Sequence, residues 1–251
     1  MARIVITEFM DERAVARLTA AGHDVLYEPK LVDDAPRLAE QAAGADVLIV
    51  RNRTQVRGAL LQSLARCRVV GRLGVGLDNI DVPACEARGL QVIPATGANA
   101  LSVAEYVVGT ALVLLRGAYA ASASVAAGQW PRNALSNGRE AGGKTLGLIG
   151  FGSIGQLTAR LARGLGMDVV AYDAMLDEGH PAFNATGARW AELDEVIKMS
   201  DVVSLHVPLV DSTRGLFSAD RIAAMKPGAV LINTARGGII DEVALAAALR
   251  S

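Results

Sequence analysis

Apolar residues come in short runs, and the runs alternate with segments that repeat on a helical period. Ile4-Val5-Ile6 precedes a helical stretch from Glu12 to Ala21. Val25-Leu26 is a weak strand, and Pro36 to Ala43 is helical. Val47-Leu48-Ile49-Val50 reads as a buried strand, Gly58 to Arg66 as a helix and Val69-Val70 as extended. Val82 to Arg88 is a short helix with Pro83 in its first turn, and Gln91-Val92-Ile93 closes this half. Strand, helix, strand at this spacing predicts parallel pairing through right-handed crossovers. A long helix is expected from about Ser102 to Ala121. Its apolar stretch Val103 to Leu115 reads as a buried helix, since it carries Glu105 and is too short to span a bilayer. After Gly128-Gln129-Trp130-Pro131-Arg132 and Gly142-Gly143-Lys144 the alternation restarts. Thr145 to Ile149, Val169 to Tyr172, Val202 to Leu205 and Ala229 to Ile232 are four strands. Helices over Ile154 to Leu165, Leu193 to Met199 and Ala219 to Met225 lie between them. The pattern predicts two α/β halves, residues 1–100 and 101–251, joined near residues 96 to 102.

Composition sharpens this. Of 251 residues, 51% are hydrophobic and only 4% aromatic, so the core is built of Val, Leu, Ile and Ala, as buried parallel strands require. The net charge of −1 makes no electrostatic case for nucleic acid or an anionic membrane as partner. Cys67 and Cys85 fit neither a metal cluster nor a disulfide framework, which makes a reduced, cytoplasmic setting the expectation. The N-terminal run Arg3 to Ile6 passes into Thr7-Glu8 and lacks the apolar length of a signal peptide.

Chemistry enters at residues 145 to 173. Gly150-Phe151-Gly152-Ser153-Ile154-Gly155 matches G-x-G-x-x-G, follows the apolar strand Thr145 to Ile149 and opens the helix near Ile154. In that context Gly150 permits the tight turn, Gly152 lets backbone approach a pyrophosphate, and Gly155 lets helix and strand pack closely. The first-turn N–H groups at Ser153 and Ile154 then face the phosphates with the positive end of the helix dipole. Asp173 ends the second strand, where a carboxylate accepts from both ribose hydroxyls and repels a 2′-phosphate. No arginine follows in Ala174-Met175-Leu176, so this Rossmann unit is expected to bind NAD rather than NADP.

Further motifs follow in a fixed order: Gly74-Val75-Gly76-Leu77-Asp78-Asn79-Ile80-Asp81, Ser102-Val103-Ala104-Glu105 and Asn233-Thr234-Ala235-Arg236-Gly237-Gly238-Ile239-Ile240-Asp241. Together with the fingerprint they resemble the D-2-hydroxyacid dehydrogenase family, nearest its phosphoglycerate-dehydrogenase-like branch, over essentially the whole chain. The resemblance implies two Rossmann- or flavodoxin-like parallel-sheet domains with a cleft between them. The substrate domain is 1–100 and the NAD domain 101–251. The implied activity is NAD-dependent hydride transfer between a small D-2-hydroxy acid and its 2-oxo acid. Gly74, Val75 and Gly76 would hold the substrate carboxylate through backbone N–H groups. Arg236, just past a strand end, would grip the carboxylate bidentately and stabilise charge on the C2 oxygen. Thr234, Ala235 and Arg236 would line the nicotinamide side of the cofactor, and His206-Val207-Pro208 with Thr213 the adenosine side. For His206 a packed strand-end role competes with direct cofactor contact. Arg51-Asn52-Arg53-Thr54 resembles the first substrate loop. Two arginines there fit a substrate with a second anionic group, such as phosphate or sulfonate, or alternatively a solvated basic turn. A homodimer packed through the Ser102 to Ala121 helix and the Trp130 segment is implied as well.

One departure stands out. The family's proton-transferring histidine and its carboxylate partner lie a few tens of residues past the Arg236 motif, and the sequence stops at Ser251 within an element. The expectation is a portion of a longer enzyme; a complete NAD-binding chain without turnover is the alternative. An NAD-responsive regulator on the same fold is the rival reading of function. The first half lacks motifs for the related formate or phosphite chemistry.

Overall fold

Every aliphatic run of the first half becomes a strand: β1 (Arg3–Ile6), β2 (Asp24–Tyr27), β3 (Val47–Val50), β4 (Val69–Arg72) and β5 (Gln91–Pro94). In this computed structural model, which describes residues 1–250, they pair all-parallel in the order β2-β1-β3-β4-β5. Connecting helices begin where a side chain can cap them. Asp11, Asp34 and Asp81 accept backbone N–H groups at the starts of Glu12–Ala20, Ala35–Ala43 and Val82–Ala87. Val5, Leu48, Val50 and Val70 lie under this sheet with Leu38, Leu61 and Cys85, all buried. Cys67 and Cys85 are both buried and free.

The chain divides between Asn99 and Ala100. The second unit holds β6 (Thr145–Ile149), β7 (Asp168–Tyr172), β8 (Arg189–Trp190), β9 (Val202–Leu205) and β10 (Val230–Asn233), parallel in the order β10-β9-β6-β7-β8. The short edge strand β8 adds a fifth to the four read from sequence; two residues carry too little periodicity to announce themselves. Both faces of this sheet are covered. Leu146 and Leu148 pack with Val107, Ala111 and Leu115 on one side, while Ile149 packs with Val196, Val203 and Leu205 on the other. Gly147 is needed here, because a Cβ would stand 2.2 Å from Ser200 Oγ and 2.8 Å from Val196 Cγ1 of the covering helix.

Strand order locates the crevices. In each sheet the order reverses at one point, between β1 and β3 in the first unit and between β6 and β9 in the second. Loops leaving the strand ends diverge at such a point, which is where open α/β sheets bind ligands.

The helix expected over Ser102 to Ala121 differs in extent and burial. It runs Ala100–Arg116, stops at Gly117 (φ +68°), and passes into a 3-10 turn over Ala118–Ala121. Only the stripe Ala100, Ala104, Val107, Ala111 and Leu115 is buried. Leu101, Tyr106, Val113 and Leu114 are exposed, so the stretch read as a buried helix is one-sided. Among the described residues no single helix is long and apolar enough to cross a membrane. Ala100–Arg116 with Ala118–Ala126 pass by length and composition only as a pair, bent by 72°.

Candidate functional site

In the second unit, strand β6 ends and the chain turns sharply at Gly150, whose φ is +94°. A Cβ on Gly150 would stand 2.6 Å from the carbonyl oxygen of His206, backbone that cannot give way. The helix Ser153–Gly164 starts with Gly152 as its N-cap, and Gly152 offers no side chain to the first-turn N–H groups. Those donors, on Ser153, Ile154 and Gly155, have no intrahelical acceptor; Ser153 is exposed and Gly155 buried. A Cβ at Gly152 would meet nothing within 4 Å, whereas one at Gly155 would lie 2.4 Å from Gly150 O. The three glycines therefore do different things. Gly150 and Gly155 let protein backbone approach protein backbone, and Gly152 leaves open space beside unspent donors. That cradle fits a pyrophosphate. Phe151, fully buried, stacks on Phe183 with ring centroids 4.8 Å apart and floors the loop.

Asp173 lies just past β7. Its Oδ2 accepts from Phe151 N–H at 2.7 Å and its Oδ1 from Met175 N–H at 2.9 Å. The carboxylate is thus tied to the glycine loop, with lone pairs left for hydroxyl donors and a charge that opposes a 2′-phosphate. Asp173→Ala is expected to narrow the ratio of NADPH to NADH dissociation constants by about 10–100-fold, the size of one lost charge interaction. Fluorescence titration with both cofactors checks this, and an unchanged ratio refutes the role.

Across the switch point, β9 ends at Leu205 and His206 N–H donates to Ile149 O at 2.7 Å. Its Nε2 shares a hydrogen bond with the buried Ser204 Oγ at 3.0 Å. Burial pushes this imidazole down to about 4, so the ring is neutral near pH 7 and stores no proton there. Val207 is half-buried beside Gly150, and Pro208 is exposed. Thr213 folds the next turn: its Oγ1 donates to Pro208 O at 2.6 Å and accepts from Val210 N–H at 2.9 Å.

Beyond β10, Asn233 organises the Arg236 turn. Its Oδ1 accepts from Ala235 N–H at 3.0 Å and its Nδ2 donates to Arg236 O at 2.7 Å. Arg236 is half-buried, with Nη1 donating to Ala235 O at 2.8 Å. Thr234 Oγ1 is buried without a hydrogen-bond partner among the described residues, an orphaned group on the side assigned to the nicotinamide. The glycine cradle and Arg236 stand at the same carboxyl edge of one sheet. Phe183 carries no signal in the sequence, and Asn233 appears there only as the first residue of the Arg236 motif, although an Asn two and three residues before a turn's backbone groups is a recognisable turn signal.

In the first unit, Gly74 follows β4 at φ +154°. The Arg72 guanidinium lies against it, with Nη1 1.7 Å from where a Cβ would stand. Val75 is exposed and Gly76 half-buried, and neither N–H donates to a protein acceptor among the described residues. That leaves two adjacent amides for an anion, whereas the third expected donor, Gly74 N–H, is spent on Arg72 O at 2.8 Å. Arg51 and Arg53 follow β3 with exposed side chains. The Arg51 guanidinium sits 5.8 Å from the centroid of the Phe9 ring, and Arg53 pairs with Asp33, which raises its affinity for its proton. Their backbones converge on Glu8, a residue the sequence reading treated only as an acidic strand end. Glu8 Oε1 accepts from Arg51 and Thr54 N–H at 2.9 and 3.0 Å, and Oε2 from Asn52 and Arg53 N–H at 3.2 and 3.0 Å.

Residues 108–251 match the family model described as D-isomer specific 2-hydroxyacid dehydrogenase, NAD binding domain. Over 250 residues the chain is 51% identical to an (S)-sulfolactate dehydrogenase of Chromohalobacter salexigens, matching along 100% of its own length and 80% of that protein's. It is 38% identical to a D-3-phosphoglycerate dehydrogenase of Methanocaldococcus jannaschii, again along 100% of its length, but spans only 47% of that relative. A crystal structure of D-lactate dehydrogenase from Aquifex aeolicus, complexed with NAD and lactic acid, superposes with a TM-score of 0.83 at 27% identity. That match covers 98% of this chain and 73% of that one.

Proposed function

This chain belongs to the D-isomer specific 2-hydroxyacid dehydrogenase family, and from that premise we propose that it interconverts a doubly anionic 2-hydroxy acid and its 2-oxo acid with NAD. The observation that carries the reading is the glycine cradle and Arg236 at one edge of one sheet. A cofactor fold alone would account for the first but not for the second. Ser153, Ile154 and Gly155 N–H groups hold the pyrophosphate, and Asp173 takes the adenosine ribose. His206, Val207, Pro208 and Thr213 shape the wall beside the adenosine. Thr234 and Ala235 line the nicotinamide side, where the orphaned Thr234 hydroxyl gains a partner. NAD, when bound, supplies the two-electron chemistry, taking the C2 hydrogen as hydride or returning it.

The chain's own residues do the rest. Arg236 pairs with the substrate carboxylate and opposes charge building on the C2 oxygen. In the first unit, the Val75 and Gly76 backbone amides offer a carboxylate site of their own, with Gly74 shaping the turn. The hydroxyl proton is assigned to the family's histidine–carboxylate pair, a motif that residues 1–251 do not include. Within this reading 1–100 is the substrate domain and 101–251 the NAD domain. The exposed Leu101, Tyr106, Leu114 and Trp130 fit the face on which a second copy packs as a homodimer. The compartment is the cytoplasm, in keeping with two free cysteines.

Arg51 and Arg53 support the second anion, as does the sulfonate in the name of a relative 51% identical. The test is NADH oxidation by the full-length protein with 2-oxo acids whose side chains bear a sulfonate, a phosphate or no charge. A doubly anionic acid is expected to exceed pyruvate in kcat/KM by about 10–100-fold, the worth of one or two charge-assisted hydrogen bonds. Arg51→Ala with Arg53→Ala should erase that margin. Equal rates on all acids would overturn the substrate class, and absence of turnover on any would overturn the reaction.

A further inference from the structure

The crevice at the switch point of the first sheet is filled from within the chain. Glu8, two residues past β1, is only 4% exposed, and the loop after β3 wraps four successive amides around its carboxylate. Such a nest of N–H groups is the geometry that proteins use for anions. Burial alone pushes the Glu8 carboxyl up, but the donors from Thr54, Arg53 and Arg51 outweigh it and hold it below the usual range. At neutral pH the group is a carboxylate whose charge is spent on the loop.

Asn79 grips the same loop from the other side. Its Nδ2 donates to Thr54 O at 2.7 Å and to Arg51 O at 3.3 Å, and Asn79 is itself buried. Thr54 Oγ1 shares a further hydrogen bond with Thr7 Oγ1 at 2.8 Å. Asn79 also stands three residues past Gly76, on the turn that carries the free amides. One buried polar cluster therefore ties two exposed segments together. One segment bears Arg51 and Arg53; the other bears the amide pair Val75 and Gly76. An apolar residue at position 8 would orphan four buried or half-buried amides, and water in its place would leave the loop without a fixed frame.

We propose that Glu8 and Asn79 are positioning residues that hold the arginine loop at a fixed spacing from the Gly74–Gly76 loop, and so set the separation of the two anionic groups in the acid accepted. The inference rests on the reading of Arg51 and Arg53 as substrate-binding, and it deepens that reading from charge to length. Two long guanidinium side chains discriminate by distance only when their backbone is immobile. Phe9, next to Glu8, adds to this by lying under the Arg51 guanidinium.

Glu8→Gln tests it, because the amide keeps the shape but exchanges one acceptor oxygen for a donor. Two of the four loop amides then lose their partner. In the full-length protein, amide hydrogen exchange across 51–54 should rise. The kcat/KM ratio of sulfopyruvate or phosphohydroxypyruvate over pyruvate should fall by about tenfold or more, through KM. The kcat for pyruvate and the NADH dissociation constant should stay within about twofold. Asn79→Ala removes only the two carbonyl contacts and should move the same ratio the same way, which keeps the test open if Glu8→Gln folds poorly. An equal loss on both acids would mean a merely structural cluster and overturn the inference. A wild-type preference that survives both substitutions would overturn it while leaving the substrate reading intact. A wild type without preference would overturn both.

Discussion

Arg236→Ala is expected to lower kcat by about 10²–10³-fold, the usual cost of losing a donor aimed at a developing oxyanion. The side chain is held where that loss would be felt. Asn233 closes the turn on both sides of Ala235, so the guanidinium leaves a rigid backbone at the carboxyl edge of the sheet. Its Nη1 is engaged with Ala235 O, which limits its swing further. Arg236→Lys keeps the charge and forfeits the planar fork, so it should recover only part of the rate. On the proposed assignment of Arg236 to the acid rather than to the phosphates, NADH affinity should remain near wild type. Single-turnover NADH oxidation with the preferred acid separates chemistry from binding. A kcat within about threefold of wild type would remove Arg236 from the catalytic assignment.

Two glycine substitutions in one loop should fail for opposite reasons. Gly152→Ala places its methyl group in open space, so the protein should fold with a Tm close to wild type. The same methyl stands over the unspent N–H groups, and NADH affinity should fall by about 10–100-fold, or about 1.4–2.7 kcal/mol. Gly150→Ala meets the carbonyl of His206 at 2.6 Å and starts from φ +94°, where a side chain is strained. Overpacking against backbone costs about 1–3 kcal/mol, read as a Tm lower by about 3–10 °C for a chain this long. Calorimetry and NADH titration on both variants check the pair. A Gly152→Ala protein that binds NADH normally would sink the pyrophosphate assignment.

Why were some features legible in advance and others not? The glycine fingerprint is local: strand, three glycines, helix and Asp173 occur within thirty residues, each dictated by its immediate neighbours. The Gly74–Gly76 and Arg236 segments point to anion-binding turns by their own residues, exposed glycine amides and an arginine just past a strand end, but their roles toward a 2-hydroxy acid are legible only through resemblance. The long helix was misjudged because Leu101, Tyr106, Val113 and Leu114 are as apolar as the buried stripe, and hydrophobicity alone does not say which side faces the sheet. Glu8 left no signal. A carboxylate two residues past a strand reads as the start of a solvated loop, and its four donors come from a segment more than forty residues away.

By itself the sequence determined the α/β class, the alternation of its strands, the dinucleotide fingerprint with its preference for NAD, and the family. These follow from periodicity and from short-range backbone constraints, which act between residues close along the chain. Tertiary structure alone decided the strand orders that put switch points between β1 and β3 and between β6 and β9. It also decided that Gly150 and Gly155 serve packing while Gly152 faces open space, and that Glu8 and Asn79 bind the arginine loop. Each of these depends on which distant backbone atoms come within hydrogen-bonding or van der Waals reach, and that distance is fixed only when the sheets assemble.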